Sequence, residues 1–160
     1  MEDAYHNLTG MLFAQERWED ARELLRRGLA ATDQPAARSR LNIDLGGVLW
    51  EEGRFPEAER AFSEAIAADP GNVDARLSLG GCLAASGDLN GAEAVLRDVA
   101  NTEPPNSIAH CVLGATLVRQ GRHEEALRWF QRALELDPDC LQGDPEWRSS
   151  YEIAAGARLS

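Results

Sequence analysis

Histidine and cysteine are the side chains of this chain best suited to acid–base or nucleophilic chemistry, yet they are scattered. The three histidines, His6, His110 and His123, are widely separated in the sequence. Cys111 directly follows His110, but neighbouring residues of a helix point about 100° apart, so the thiol and the imidazole would not face each other. We therefore expect three structural histidines and no thiol–imidazole pair.

The cysteines are also spaced for packing rather than for ligand chemistry. Cys82, Cys111 and Cys140 follow one another at intervals of 29 residues, and no Cys-x-x-Cys pair occurs. An odd number of cysteines without such a pair is not typical of a disulfide framework or of a zinc site. The pattern favours reduced, mostly buried thiols and predicts no metal ion.

Paired acidic residues and paired glycines are the remaining motifs that could support catalysis. Glu51-Glu52 and Glu124-Glu125 are more typical of a solvated helix surface than of an acid–base pair. Gly46-Gly47 suggests a phosphate-binding loop, but the chain contains no lysine and no strand-like segment precedes the pair. The sequence therefore predicts neither a catalytic set nor a cofactor, and it predicts that the protein is not an enzyme.

The elements that carry these residues are predicted to be helices. Of 160 residues, 44% are hydrophobic and 27% are charged, which is typical of a globular protein, and we expect one domain over residues 1–160. Alanine and leucine dominate the apolar residues. Both favour helix over strand, because β-branched side chains lose more freedom in a helix. The expected fold class is all-α, and no apolar run is long enough to span a bilayer.

Charge narrows the expected partners. Sixteen arginines against 27 acidic residues give a net charge of −11, which repels nucleic acid and anionic membrane surfaces. We therefore expect a protein partner, no nucleic acid and no membrane insertion. The first residues are acidic where a secretion signal would be basic, so a cytoplasmic location is expected.

An internal repeat organises most of the chain. Six columns recur three times with a period of 34 residues. The columns are Leu45, Leu79 and Leu113; Gly46, Gly80 and Gly114; Leu49, Leu83 and Leu117; Gly53, Gly87 and Gly121; Ala58, Ala92 and Ala126; and Pro70, Pro104 and Pro138. Small residues allow helices to approach closely, a glycine with positive φ ends the first helix, and proline stops the second.

These columns resemble the tetratricopeptide repeat, a helix–turn–helix unit with Leu-Gly, Ala, Phe and Pro at fixed offsets. The copy at residues 39–72 keeps all of them, including Phe62. The resemblance implies a right-handed α-solenoid of four helix–turn–helix units and a C-terminal capping helix at about residues 144–158. The units are expected at about residues 2–38, 39–72, 73–106 and 107–140. In the capping helix, Trp147 and Tyr151 should shield the apolar end of the last pair.

The resemblance also implies where a partner would bind, because the first helix of each unit lines the concave side of such a solenoid. The residues opposite the packing columns are unusually apolar and include a lane of small residues at Gly10, Gly47, Gly81 and Ala115. We predict a peptide-binding surface that includes Asn7, Phe13, Arg40, Ile43, Asp44, Gly47, Trp50, Leu77, Ser78, Gly81, Ile108, Cys111 and Val112. Its anchors are expected at Ile43, Trp50, Leu77 and Ile108, with side chains pointing away from the core.

The leading hypothesis is a non-enzymatic adaptor that binds an apolar peptide or helix with basic flanks in this groove. The family's two-carboxylate clamp is not expected, because its positions hold residues such as His6, Asp44 and Ser78 and no cation. Two alternatives stay open: a self-assembling scaffold, with a homodimer as its simplest form, and a small acidic secretion chaperone of the tetratricopeptide type.

Overall fold

The computed structural model describes residues 2–157 of the backbone and the side chains of residues 4–156. Over this range the chain forms nine α-helices and a short 3₁₀ turn, with no β-strand. The helices are α1 Glu2–Ala14, α2 Trp18–Ala31, α3 Pro35–Glu51, α4 Phe55–Ala68, α5 Val73–Ser86, α6 Leu89–Ala100, α7 Ser107–Arg119, α8 His123–Leu136 and α9 Pro145–Ala157, with the 3₁₀ turn at Cys140–Gln142. The predicted all-α helical repeat is confirmed. Of the predicted capping helix, only Arg158 lies outside the described residues.

The helices divide into two compact units, which we call the N-terminal unit (Met1–Cys82) and the C-terminal unit (Leu83–Ser160). The boundary falls within α5. Each unit has its own buried core. That residues 1–160 form one domain stays a prediction.

The core of the N-terminal unit shows why one column of the repeat is glycine. Phe62 on α4 is buried and packs with Leu49, Ala58 and Cys82. A Cβ atom added to Gly46 on α3 would overlap the Phe62 ring. The glycine therefore lets α3 and α4 approach closely enough for the aromatic ring to fill the space between them.

The turn between the two helices of a repeat uses a left-handed backbone conformation, as the sequence predicts. Gly53, Gly87 and Gly121 have φ values of 72°, 96° and 79°, which only glycine adopts without strain. In the first, degenerate repeat the corresponding residue is Glu16, with a φ of 56°. This position therefore tolerates a side chain at some cost in backbone energy.

The C-terminal unit is closed by α9, which packs against α7 and α8. Tyr151 on α9 meets Phe130 edge to face, with ring centroids 5.9 Å apart. Phe130 is fully buried and lies against Gly114, where an added Cβ would come within 2.9 Å of the ring. Tyr151 therefore covers the aromatic residue that fills the space between α7 and α8.

A closed network of two arginines and two glutamates joins α6 to the start of α8 in the same unit. Arg97 pairs with Glu93 and Glu125, and Arg122 pairs with the same two carboxylates. Partial burial raises the pKa of Glu93, but the hydrogen bonds from Arg122 and Arg97 outweigh it and leave the pKa lowered. The Arg97 hydrogen bond likewise lowers the pKa of Glu125. The network therefore favours ionised carboxylates.

Candidate peptide-binding site

A cavity of about 320 Å³ opens between the helices of the N-terminal unit. It is lined by residues of α1, α3, α4 and α5. They are His6, Thr9, Gly10, Phe13, Ile43, Asp44, Gly47, Phe62 and Ser78. Five of these nine lining residues, from Phe13 on α1 to Ser78 on α5, belong to the predicted binding surface.

Two glycines form the open floor of this cavity. A Cβ added to Gly10 or to Gly47 would meet no other atom within 4 Å. Their neighbour Gly46 differs, because the Phe62 ring fills the space beside it. Glycine inside a helix costs roughly 0.5–1 kcal/mol relative to alanine, and no packing contact in the unit requires it at Gly10 or Gly47. Both positions instead leave room above the helices.

The apolar walls of the cavity differ in exposure. Phe13 on α1 is 37% exposed and meets Trp18 edge to face at 4.9 Å. Ile43 on α3 is half-buried and packs against the core that includes Leu49 and Phe62. Phe13 thus offers an exposed aromatic surface, whereas Ile43 has a structural role as well.

The polar part of the cavity is a pair formed by His6 and Asp44. The Nδ1 atom of His6 lies 3.0 Å from Oδ2 and 3.2 Å from Oδ1 of Asp44. The imidazole is mostly exposed, whereas the carboxylate is largely buried at 13% exposure. Thr9, beside them on α1, is buried, and its hydroxyl has no hydrogen-bond partner. The polar groups of this otherwise apolar cavity are therefore one carboxylate, one imidazole and the hydroxyls of Thr9 and Ser78.

The other predicted residues of the N-terminal unit lie around this cavity rather than in its lining. Asn7 and Arg40 are exposed, and Arg40 already has an interaction of its own. Leu77 and Gly81 on α5 are half-buried.

Trp50 differs from the expectation that its side chain points away from the packing. Its ring meets Phe55 edge to face at 5.6 Å and packs against the core. Trp50 lies in the last turn of α3, and Phe55 begins α4 after the short turn that follows. Trp50 therefore contributes to stability, and a substitution there would not test binding cleanly.

The C-terminal unit places its predicted residues differently. Ile108 on α7 is 45% exposed and Val112 is half-buried, but Cys111 is fully buried. Burial raises the pKa of the Cys111 thiol, and a hydrogen bond with the thiol of Cys140 raises it further. Cys140 begins the 3₁₀ turn that packs on α7. Cys111 therefore has no surface to offer a partner, contrary to the prediction, because this turn covers it.

Sequence reasoning missed three features of the cavity. His6 appeared to be structural, although it pairs with Asp44. Thr9 stands in the column that holds glycine in the other repeats, and no binding role was predicted for it. Phe62 was expected only in the core, yet it also lines the cavity. Polar pairing across 38 positions leaves no signal in a single sequence.

The described residues offer neither a metal site nor a membrane-spanning helix. No group of three or more histidine, cysteine or acidic side chains within them could hold a metal ion. None of their helices combines the length and apolar character needed to cross a membrane.

Comparison with known proteins identifies the repeats. Three family models, each described as a tetratricopeptide repeat, match residues 3–32, 49–110 and 107–140. The chain therefore belongs to the tetratricopeptide repeat family. Repeats of this family are generally non-catalytic interaction modules. No curated protein sequence matches the chain significantly.

Solved structures agree with this fold. YrrB, described as a tetratricopeptide repeat protein with an unusual peptide-binding site, is 22% identical, with a TM-score of 0.72 over 100% of this chain and 75% of its own. The pilF protein of Pseudomonas aeruginosa is 20% identical, with a TM-score of 0.77 over 97% of this chain and 75% of its own. MamA is 16% identical, with a TM-score of 0.74 over 96% and 82% of the two chains. At these identities the likeness shows the fold alone.

Proposed function

We propose that this protein is a non-enzymatic adaptor whose N-terminal unit binds a segment of a partner protein in the cavity between its first helices. The observation that carries the proposal is the glycine floor at Gly10 and Gly47. Both residues weaken their helices, and neither is required by packing within the unit. A cost in stability without a structural return is typical of a functional surface.

The chemistry of the cavity favours a segment that is apolar with basic flanks. Phe13 and Ile43 provide apolar walls, and Asp44 provides a carboxylate. The net charge of −11 adds a long-range attraction for a basic partner. A cavity of this size accommodates a few side chains, so we expect an affinity of roughly micromolar strength.

Filling the floor tests this proposal without damaging the core. Gly47→Phe places a ring where an added Cβ meets no atom within 4 Å, so the fold should remain and the cavity should be blocked. Gly156→Phe is the matched control, because Gly156 on α9 is equally open. We expect affinity purification from the source cells, followed by mass spectrometry, to lose specific partners with Gly47→Phe and to keep them with Gly156→Phe. Equal recovery with both variants would contradict the proposal.

A second candidate function is self-association, and a different face of α1 favours it. Leu8 and Met11 are 44% and 60% exposed. At about 100° per residue, Leu8 lies nearly opposite His6 around the helix. A pair of exposed apolar side chains on one face is typical of a contact surface.

Light scattering separates the two candidates. If the chain self-associates through this face, its mass should rise with concentration, and the double variant Leu8→Asp with Met11→Asp should remain monomeric. A wild-type chain that stays monomeric at all concentrations would remove the second candidate.

A further inference from the structure

We propose that the cavity of the N-terminal unit binds an arginine side chain of the partner, with its guanidinium group on the carboxylate of Asp44. This inference rests on the proposed function, because it assigns the side chain that the cavity recognises. It follows from the geometry of the carboxylate, from an unpaired hydroxyl and from the apolar surface that lines the rest of the cavity.

The carboxylate of Asp44 presents both oxygens to one side. A single atom, Nδ1 of His6, lies 3.0 and 3.2 Å from the two of them. A guanidinium group carries parallel N–H donors that match two carboxylate oxygens at once, which one imidazole nitrogen cannot do. The exposed His6 side chain can turn aside, because it is mostly in solvent. His6 is therefore a replaceable partner of the Asp44 carboxylate.

The hydroxyl of Thr9 provides the second observation. Thr9 is 5% exposed, lines the same cavity, and has no hydrogen-bond partner. A buried polar atom without a partner is destabilising, so a ligand donor that reaches this hydroxyl gains affinity. Guanidinium has five N–H donors, which leaves several after the carboxylate is satisfied. The Ser78 hydroxyl in the cavity wall can accept another.

The aliphatic part of an arginine also fits its surroundings. The floor at Gly10 and Gly47 lets the three methylene groups lie close to the helices. Phe13 and Ile43, which line the same cavity, offer them apolar contact. Long basic side chains bury their stems in this way while the charged group reaches a polar partner.

Arginine fits this cavity better than the other charged side chains do. An acidic side chain would be repelled by Asp44 and by the net charge of −11. Lysine offers a single charged nitrogen and cannot span both oxygens of Asp44. Arg40, one turn before Asp44 on α3, has an interaction of its own.

The probe for this inference is the tripeptide acetyl-Leu-Arg-Leu-amide, compared with the same peptide carrying citrulline. Citrulline has nearly the shape of arginine but no charge. Titration of the full-length, ¹⁵N-labelled chain should shift the amide signals of Gly10, Asp44 and Gly47 with a dissociation constant of roughly millimolar size. We expect the citrulline peptide to bind at least fivefold more weakly, and the lysine peptide to fall between the two.

Two variants locate the charge recognition. Asp44→Asn should abolish the preference for arginine over citrulline, whereas His6→Ala should bind the arginine peptide at least as tightly as the wild type does. Equal binding of the arginine and citrulline peptides to the wild type would overturn the proposal that Asp44 binds an arginine side chain. So would a shift pattern away from Gly10, Asp44 and Gly47, or no binding.

Gly47→Phe separates this inference from the proposed function. If it abolishes the binding of both peptides while the wild type does not distinguish them, the cavity is a binding site but Asp44 does not select arginine. If it leaves both peptides bound as before, the cavity itself is not the site.

Discussion

The first helices α3 and α7 hold equivalent positions in two repeats, yet one presents an open face and the other a covered one. Gly47 on α3 has no atom near its missing side chain, whereas Ala115, in the same column on α7, is buried. Ile43 is half-buried, and its column partner Cys111 is fully buried beneath the 3₁₀ turn. Equivalent positions in two repeats therefore pack alike between the helices of each repeat, but they are not equally exposed on the outer face.

The difference has a local cause. In the C-terminal unit, α9 and the turn that precedes it pack on α7. Cys140 meets Cys111, and Tyr151 meets Phe130. The segment after the last repeat thus completes the core of this unit.

Removing residues 144–160 should have the largest effect. The deletion takes away α9 and exposes Phe130 and the neighbouring face of α7 to water. We expect the chain to aggregate or to lose cooperative unfolding, which thermal circular dichroism and light scattering would detect. A truncated chain that stays monomeric and unfolds at the same temperature would mean that α9 is dispensable.

Placing leucine in one column of both helices compares the two faces directly. Ala115→Leu overfills a buried position and should destabilise the protein by about 1–3 kcal/mol. Gly47→Leu points into open space and replaces a poor helix former, so the free energy of unfolding should stay the same or rise by up to about 1 kcal/mol. Urea unfolding measures both. Equal losses would show that the α3 face is packed after all.

Acid should weaken the ion network at the α6–α8 contact. Because the pKa of Glu93 is lowered in the folded chain, the stabilisation from this carboxylate is present above the unfolded-state value of 4.5. It is lost as the pH falls through the lower folded pKa. Glu93→Gln should lower the melting temperature by a few degrees at pH 7. Below pH 4.5 the melting temperatures of the variant and the wild type should lie closer together. A constant difference across this range would contradict the network.

Thiol reactivity should show the smallest effect, because the test replaces one side chain with another of nearly the same size. Burial raises the pKa of Cys82 to about 11 and also raises that of Cys111, and thiolates are the reactive form. We expect the native thiols to resist Ellman's reagent at neutral pH. Ser78→Cys, in the cavity wall, should add one reacting thiol. Rapid reaction of Cys111 would show that α7 is not covered.

The sequence predicts the interior of this protein better than its surface. The glycine column at Gly46, the phenylalanine at Phe62 and the turn glycine Gly53 follow from contacts that every repeat must make. Local spacing is enough to recognise them, because each contact joins residues of one helix pair.

The surface depends on neighbours that the repeat does not specify. Cys111 was expected on the binding surface, since its column faces outward, but the turn at Cys140 covers it. Trp50 faces the core through Phe55, its neighbour across a tight turn. The cavity's pair of His6 and Asp44 joins two repeats, one of which is degenerate. Such contacts are set by three-dimensional packing and become visible only in the structure.

A photo-crosslinking residue at Phe13 tests the central claim, that partners bind in the cavity of the N-terminal unit. Phe13 lines the cavity and is 37% exposed, so an aromatic crosslinker there replaces an aromatic wall and leaves the glycine floor open. Gly156 on α9, which has open space beside it, is the control position. Benzoylphenylalanine at each position, irradiated in the source cells, would report which surface a partner touches. We predict a specific crosslinked protein from position 13 and none from position 156. A partner captured from position 156 but not from position 13 would contradict the account.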